Sequence, residues 1–305
     1  MHEGGKKAII AALLANGAIA VAKFIAFAIT QSPSLLAEGF HSVADTGNQA
    51  LLLLGGSRAK KAPDEQHPFG YGRERYFWAF VVAMVLFSVG SLFALYEGYE
   101  KLMHHDHELS SPAVAIGVLL VAIVLECLSF RVAYIEASKV RGDQSWWSFI
   151  RRTKNPELAV VLLEDSGALL GLVIALTGVS LAEITGESRF DAAGSIGIGL
   201  LLAAIAFVLA KENKSLLIGE AADPAEVEKI CQAIESNGST KRLIHLRTLH
   251  LGPEELLVAA KVEFQGDLDP VLLSSAIDDI ERSIRAGVPT AKLVFLEPDE
   301  YREHQ

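Results

Sequence analysis

A polar stripe runs through an otherwise apolar segment near the N-terminus. The segment LLAEGFHSVADTGNQALLLLGG begins at Leu35, and its polar residues follow one another at spacings of three, four and three: Glu38, His41, Asp45 and Asn48. On an α-helix these spacings place all four side chains on one face. An imidazole and a carboxylate four residues apart can chelate one divalent cation. Because each ionisable group costs about 2.5–3.5 kcal/mol to insert into a membrane, the stripe predicts a metal or proton pathway. An interhelical hydrogen-bonded network is the alternative.

A second acidic position lies far along the chain. The run ELAVVLLEDSGALLGLVIALTG carries the adjacent carboxylates Glu164 and Asp165 inside an apolar segment. Small residues follow directly (Ser166 to Ala168), and small residues permit close approach between helices. We therefore expect this segment to meet the polar stripe and complete a metal site. The candidate ligands are His41, Asp45, Asp165 and Glu164, with Glu38 as a candidate for the proton pathway.

Long apolar runs dominate the chain up to about residue 210. Of the 305 residues, 51% are hydrophobic. A bilayer is crossed by roughly 20 apolar residues in a helix. Six runs are long enough: Ala8 to Thr30, Ser34 to Gly56, Tyr76 to Tyr99, Pro112 to Ala137, Pro156 to Leu181 and Ala192 to Ala210. The first run has no small-residue cleavage site that stands out, and it is interpreted as a retained helix rather than a signal peptide.

Loop charges predict the orientation of these spans. The loops SRAKKAPDEQHPFGYGRER and SKVRGDQSWWSFIRRTKN are rich in Lys and Arg, whereas QSPS is uncharged and AEITGESRF is net acidic. The positive-inside rule places both termini in the cytoplasm and makes the protein a multi-pass component of the cell (inner) membrane. The piece SWWSFIRR is either a helix in the headgroup plane or an amphipathic loop.

The last third has the composition of a soluble domain. DPAEVEKICQAIESNG and DPVLLSSAIDDIERSIRAG are capped helices with apolar residues at helical period. KRLIHLRTLHLG, ELLVAAKVEFQG and AKLVFLEP are β-rich, and the first two form a plausible hairpin. The order αββαβ predicts a small sheet with helices on one face. The predicted division is residues 1–210 for the membrane domain and 211–305 for the C-terminal domain.

Several charges and both cysteines have ordinary interpretations. Lys23, Glu97 and Glu126 each lie singly in an apolar run, where such residues snorkel or pair. The two cysteines, Cys127 and Cys231, are far apart and predict buried thiols rather than a disulfide or a zinc site. The net charge of −10 argues against a nucleic-acid partner.

The order of motifs resembles the cation diffusion facilitator family. AEGFHSVADTGNQALLLLG is similar to the second-helix signature of that family, and HPFGYGRERY (His67 to Tyr76) to its loop before the third helix. FDAAGSIGIGLLLAAIAFVLAKENKSLL resembles its sixth helix, and IHLRTLHLG the first strand of its cytoplasmic domain. The resemblance covers essentially the whole chain. It implies a homodimeric metal/proton antiporter with a metallochaperone-like (ferredoxin-like) αββαβ domain.

This sequence departs from the usual family pattern in the fifth helix. The family usually has His-x-x-x-Asp there, but Val161 stands four residues before Asp165. The pattern LLED and the basic loop before it resemble the zinc transporter nine-like branch instead. The resemblance implies ligand roles for His41, Asp45 and Asp165, whereas Glu164 is an inference from its position. If Glu164 points sideways, it needs a mate such as Lys23 or a water-filled cavity.

The accessory sites of the family match less well. Asp64 occupies the first position of the loop site, but Tyr71 stands where a His is usual, and His67 is a candidate substitute. In the C-terminal domain His245 matches one ligand. The other positions there read Lys261, Ser274 and Leu296, which makes a bound metal improbable. The cluster His104 to His107 either gathers metal outside the membrane or is a solvated loop.

These observations predict a transporter without a resident cofactor. Histidine titrates near neutrality, so His41 can hold either a metal or a proton. One imidazole with two or three carboxylates suits zinc, and also manganese, iron(II) or cobalt. The partners are metal ions, protons, the lipid bilayer and a second copy of the chain. A membrane metal sensor that does not transport is the alternative. The sequence carries no HExxH motif, nucleophile elbow or phosphate loop, which argues against an enzyme.

Overall fold

Long helices make up the first two thirds of the chain. The computed structural model describes residues 3–30, 33–103, 112–266 and 268–302. The long helices are α1 (Glu3–Thr30), α2 (Pro33–Arg58), α3 (Glu74–Val85), α4 (Leu92–Met103), α5 (Pro112–Arg141), α7 (Pro156–Thr185) and α8 (Arg189–Ile218), and a short helix α6 (Trp146–Arg152) precedes α7. They coincide with the six predicted apolar runs, α3 and α4 together forming the third.

The predicted helical membrane fold is confirmed. Among the described residues, five helical stretches are long and apolar enough to cross a membrane: Gly5–Ile25, Glu74–Met103, Ile116–Arg141, Pro156–Thr185 and Arg189–Ile218. The helix α2, which carries the polar stripe, has 26 residues. Its length is sufficient for a span of about 20 residues, and its passage through the membrane stays a prediction.

A π-helical segment, Leu86–Ser91, joins α3 to α4 within one span. Ser91 lies at its end and donates a hydrogen bond from Oγ to the carbonyl oxygen of Gly199 on α8, at 2.9 Å. Further along, Gly98 faces α8 so closely that a Cβ there would lie 2.8 Å from the backbone nitrogen of Ile196. This span therefore contacts α8 closely at two positions along its length, at Ser91 and at Gly98.

The helices α1, α2, α5 and α7 pack against one another. The helix α1 contacts α2, α5 and α7, and α5 also contacts α7. Apolar side chains such as Leu52, Ala133 and Val161 are buried in the shared core. Gly167 on α7 lies against Ile205 of α8, where an added Cβ would come within 2.5 Å of Cδ1. This contact agrees with the close approach expected from the small residues after Asp165.

The segment SWWSFIRR contains the helix α6. Ser145 caps it, accepting a hydrogen bond from the backbone N–H of Ser148 at 3.2 Å. Phe149 and Ile150 are buried in the helical core. Of the two interpretations of this segment, the structure therefore favours a helix with a buried apolar face.

The C-terminal part has the predicted αββαβ order. Its elements are α9 (Pro224–Glu235), β1 (Thr240–Gly252), β2 (Glu255–Phe264), α10 (Pro270–Gly287) and β3 (Leu293–Pro298). The strands β1 and β2 form the predicted antiparallel hairpin, and β3 pairs with β2 in parallel, so α10 is the crossover. Alternate residues of β2 pack with both helices in one core, as half-buried sheets do.

Contacts divide the chain into two compact units. The first comprises residues 1–58 and 74–214, and the second residues 59–73 and 215–305. The loop before α3 therefore packs within the second unit. At Gly72 a Cβ would lie 2.7 Å from the carbonyl oxygen of Leu251, so this contact requires glycine. The division at residue 210 stays a prediction about domains, and it leaves this loop in the first part.

Candidate metal site

A cavity of about 130 Å³ lies among the helices of the first unit. Apolar side chains form much of its wall. Six polar residues also line it, and we call it the acidic cavity: Asn16, Lys23, Ser42, Asp45, Glu126 and Glu164. They come from α1, α2, α5 and α7. The sequence prediction that the polar stripe of α2 meets the acidic pair of α7 therefore has a structural counterpart at Asp45 and Glu164.

Glu164 is held from both sides by amides of α2. Asn48 donates from Nδ2 to Oε1 at 3.0 Å, and Gln49 donates from Nε2 to Oε2 at 2.7 Å. The Glu164 side chain is only 5% exposed. The sequence suggested Lys23 or a cavity as the mate of Glu164, and the structure supplies the cavity together with two amides instead. Each carboxylate oxygen keeps a second lone pair, because a carboxylate offers about four acceptor sites.

Asp165 lies next to the cavity wall and turns towards α5. It is fully buried, and its Oδ2 accepts a hydrogen bond from Ser129 Oγ at 2.9 Å. Among the described residues, no hydrogen-bond partner reaches Oδ1 of Asp165. A buried carboxylate oxygen without a donor is costly unless something else meets it. A cation is one group that would.

Glu126 is a cavity residue whose place the sequence did not indicate. Its single position in an apolar run predicts a side chain that snorkels or pairs. On α5 it is 3% exposed and lines the acidic cavity. The charges of Asp165, Asp45 and Lys23 all act on it. One signal in the sequence could have indicated this inward position. Ser129 lies three residues later on the same helix face, and its hydroxyl donates a hydrogen bond to Asp165.

Two predicted residues of the stripe lie partly outside the described structure. The backbones of Glu38 and His41 belong to α2, but their side chains are not among the described ones. Helical geometry places His41 one turn before Asp45 on the same face. The cluster His104 to His107 also lies outside the described residues.

The described carboxylates border a common cavity and do not form a closed cage. Among the side chains that the structure describes, no three from His, Cys, Asp and Glu are grouped tightly enough to hold a metal ion. His41 is not among them. Val161, which stands where the related family has a histidine, is fully buried in the apolar core.

The predicted loop site forms a compact hydrogen-bonded group, which we call the loop cluster: Lys61, Asp64, His67 and Tyr71. Oδ2 of Asp64 accepts from Lys61 Nζ at 2.9 Å and from the Tyr71 hydroxyl at 2.5 Å. Its Oδ1 accepts from the backbone N–H groups of Gln66 and His67. The hydrogen bond from Tyr71, followed by that from Lys61, holds the pKa of Asp64 well below its usual range.

In the C-terminal sheet, a lysine lies beside the predicted accessory ligand. His245 on β1 is paired with Lys261 on β2. Lys261 Nζ lies 3.1 Å from Asp299 and 3.2 Å from Glu297, and these hydrogen bonds raise the pKa of Lys261. His245 Nε2 accepts from Arg247 Nε at 2.6 Å. The acidic groups here already face an ammonium.

Sequence reasoning also missed a buried ion pair between α3 and α7. Arg75 is 4% exposed and Glu157 is 1% exposed. The guanidinium makes two contacts with the carboxylate, one through Nε and one from Nη2 at 2.8 Å. The residues are 82 positions apart, so helical spacing within one segment could not reveal the pair.

Buried carboxylates facing a cavity among membrane-length helices are typical of ion transporters. Residues 9–218 match the family described as the cation efflux transmembrane domain. The protein belongs to this family, and the predicted family resemblance is confirmed. Because the family consists of cation efflux transporters, the prediction that the protein is not an enzyme is confirmed as well.

Three relatives show the range of the family. The chain is 32% identical over 267 residues to the mitochondrial proton-coupled zinc antiporter SLC30A9 of Xenopus laevis, covering 87% of this chain and 47% of that protein. It is 30% identical to metal tolerance protein C4 of Arabidopsis thaliana, covering 86% and 58%. It is 24% identical to the manganese efflux system protein MneP of Bacillus subtilis, covering 92% and 89%. The chain spans about half the length of the first relative. The resemblance to the zinc transporter nine-like branch is confirmed.

Proposed function

We propose that this protein exports a divalent first-row cation from the cytoplasm in exchange for protons, with zinc as the first candidate. His41, Asp45, Glu164 and Asp165 are the proposed ligands, and Glu38 is the proposed proton-pathway residue. The protein would work by alternating access as a homodimer in the cell (inner) membrane, with both termini in the cytoplasm. The loop charges support this orientation, and the family resemblance supports the dimer.

The observation that carries the proposal is the meeting of Asp45 and Glu164 at one buried cavity. They come from α2 and α7, separated by more than a hundred residues, and they face the interior of the bundle. Charges within membrane-spanning segments are costly and mark ion pathways. Asp165 adds an oxygen that no donor among the described residues meets. A cation in the cavity would satisfy these oxygens together.

The chemistry of the proposed ligands suits a transported ion. Imidazole and carboxylate bind zinc, and carboxylates also accept manganese. A site with one imidazole and no thiolate binds less tightly than a Cys/His site, which favours release on the far side. The amides of Asn48 and Gln49 orient Glu164 without neutralising it. The carboxylate therefore keeps free lone pairs that can meet an ion.

Exchange for protons follows from the same set of groups. When the metal leaves, the carboxylates around the cavity repel one another, and a proton shared between them relieves the repulsion. His41 can take a proton in place of a metal. The relatives include a proton-coupled zinc antiporter and a manganese efflux protein. The same exchange with manganese, iron(II) or cobalt is the variant to test.

Transport in proteoliposomes tests the proposal. Purified full-length protein is reconstituted, a proton gradient is imposed, and uptake of zinc, manganese, cobalt and iron(II) is followed with an internal indicator. We expect gradient-driven uptake of at least one metal, abolished in Asp45→Ala. Asp64→Asn is the matched control outside the cavity and should transport like the parent. Metal binding without any uptake would identify a sensor and contradict the proposal.

A further inference from the structure

Lys23 places a positive charge inside the proposed transport site. It lies in the last third of α1, is 5% exposed and lines the acidic cavity. Its Nζ donates a hydrogen bond to Ser42 Oγ at 3.0 Å. A lysine near a helix end usually extends its ammonium towards water, but here the side chain points into the bundle. The sequence analysis assigned Lys23 to snorkelling or pairing and named it as a candidate mate of Glu164.

The position of Ser42 places the ammonium on the ligand face of α2. Ser42 precedes Asp45 by three residues and follows His41 directly, and residues three apart share a helix face. Ser42 and Asp45 both line the cavity. Lys23 also acts electrostatically on Glu126, which lines the cavity from α5. Among the described lining residues, Lys23 is the only cationic one, and it faces the carboxylates Asp45, Glu126 and Glu164.

We propose that Lys23 is an internal counter-ion of the transport site, with Glu126 as its carboxylate partner. In the metal-free state its ammonium balances part of the negative charge of the cavity. When a divalent cation enters, the ammonium and the metal repel each other, and Glu126 retains the ammonium while the remaining carboxylates bind the metal. Lys23 therefore weakens metal binding and favours release. This inference rests on the proposed function and adds a residue that sets the affinity of the site.

Two physical arguments support this role over a purely structural one. A carrier that exchanges metal for protons returns without its metal, and any carboxylate that the protons leave charged would make that state unstable. A tethered ammonium supplies compensation that is always present. A structural tie between α1 and α2 needs only a hydrogen-bond donor to Ser42, which an uncharged side chain can provide. A purely structural role therefore does not explain why residue 23 carries a positive charge.

Metal affinity measured on full-length protein in detergent tests the inference. Zinc is the probe, with manganese or cobalt used if the parent binds them instead. Lys23→Gln keeps a donor for Ser42 and removes the charge. We expect it to bind zinc at least about tenfold more tightly, because a nearby like charge is lost in a medium of low polarity, and to turn over more slowly in proteoliposomes. Lys23→Arg keeps the charge and should bind within a few-fold of the parent.

The partner role of Glu126 is tested by a double-mutant cycle. Glu126→Gln alone should weaken zinc binding about tenfold, because the ammonium then acts on the metal without its partner. The double variant Lys23→Gln/Glu126→Gln should bind zinc about as tightly as Lys23→Gln alone, because Glu126→Gln acts through an ammonium that is no longer present. Thermal unfolding adds a second measurement. Lys23→Gln should lower the metal-free melting temperature and enlarge the zinc-induced rise, since tighter binding stabilises the folded state more.

The outcomes separate this inference from the proposed function. Weaker or unchanged zinc binding by Lys23→Gln, while Asp45→Ala abolishes binding, would overturn the counter-ion and leave the metal site standing. A double variant at the parent affinity, which is the additive result of the two single changes, would overturn the pairing with Glu126. Retained binding by Asp45→Ala would instead contradict the metal site itself. Absence of metal binding by the parent would overturn both.

Discussion

The acidic cavity and the loop cluster both contain carboxylates that the sequence proposed as metal ligands, and they differ in how those carboxylates are satisfied. In the loop cluster, Asp64 accepts hydrogen bonds from a lysine ammonium, a tyrosine hydroxyl and two backbone N–H groups. In the cavity, Asp45, Glu126 and Glu164 face one described ammonium, and Asp165 keeps an oxygen that no described donor meets. A carboxylate whose acceptor sites are filled has little left for a metal, whereas the described lining of the cavity has three carboxylates and one ammonium.

The largest expected effect is the loss of transport on removing Asp45. Asp45→Ala takes away a proposed ligand on the face of α2 and should abolish metal uptake in proteoliposomes while the protein stays folded. The matched change in the satisfied group, Asp64→Asn, should leave uptake at the parent level. Equal losses in both variants would remove the distinction between the two regions. Normal transport by Asp45→Ala would contradict the site.

Glu164 tests whether a carboxylate held by two amides still serves as a ligand. Glu164→Gln keeps the shape and removes the charge. One neighbouring amide, of Asn48 or Gln49, can turn its oxygen to accept from the new NH2 while the other still donates to the carbonyl oxygen. We expect transport to fall by at least about tenfold and metal binding to weaken, which uptake and calorimetry would measure.

Adding Val161→His to this variant should restore part of the activity, because it supplies the usual ligand of the family. The buried position of Val161 limits the gain. Parent-like transport by Glu164→Gln would make Glu164 a structural residue.

The pair of Arg75 and Glu157 offers a satisfied carboxylate inside the helical bundle. Arg75→Met leaves a buried carboxylate without its partner, and breaking such a pair costs about 3–5 kcal/mol. Thermal unfolding should show a large loss of stability, with metal affinity unchanged in the folded protein. The double change Arg75→Met/Glu157→Met should lose less than the single one. A change in affinity without a change in stability would assign the pair to the transport site.

His41 is expected to set the choice of metal more than the rate of transport. His41→Asn replaces the proposed imidazole ligand by an amide oxygen and should shift preference from zinc towards manganese, a harder cation. Competition between the two metals during uptake measures the ratio. An unchanged ratio would count against His41 as a ligand.

The smallest effect on transport is expected in the loop cluster, where a new site can be built. Lys61→Ala with Tyr71→His removes the ammonium from Asp64 and places an imidazole beside His67, whose ring centre lies 4.4 Å from that of Tyr71. We expect one further zinc per chain by calorimetry and little change in uptake. If the parent already binds zinc at Asp64, the contrast between the two regions is wrong.

Periodicity within single segments predicted the elements well. The apolar runs became helices and the C-terminal order αββαβ was found, because each pattern is set by burial along one segment. Contacts between distant segments could not be predicted from these patterns. Asn48 and Glu164 are 116 residues apart, and Arg75 and Glu157 are 82 apart, so no spacing rule connects them.

Glu126 shows how little a single charge in an apolar run says about the direction of its side chain. Without a second ionisable group on its own helix face, its sequence context could not distinguish an exposed from an inward-facing side chain. The association of the loop 59–73 with the C-terminal unit also depends on close contact at Gly72, which has no periodic signature. For the proposed ligands themselves, the spacing of Asp45 and the adjacency of Glu164 and Asp165 pointed to residues at or next to the cavity, and their role as ligands stays a prediction.

The π-helical segment at Leu86–Ser91 has a consequence for the history of this span. A π-turn accommodates one residue more than an α-turn and is what an insertion into a helix leaves behind. Deleting one residue there would restore a regular helix and leave the residues beyond it on the same faces. Making the segment regular without a deletion would instead rotate everything beyond it by about 100°. Gly98 would then leave its contact with Ile196, and a bulky side chain would face α8 where an added Cβ already comes too close. The π-turn therefore absorbs one residue and keeps Gly98 against α8, so the second half of the span packs as it would on a regular helix one residue shorter.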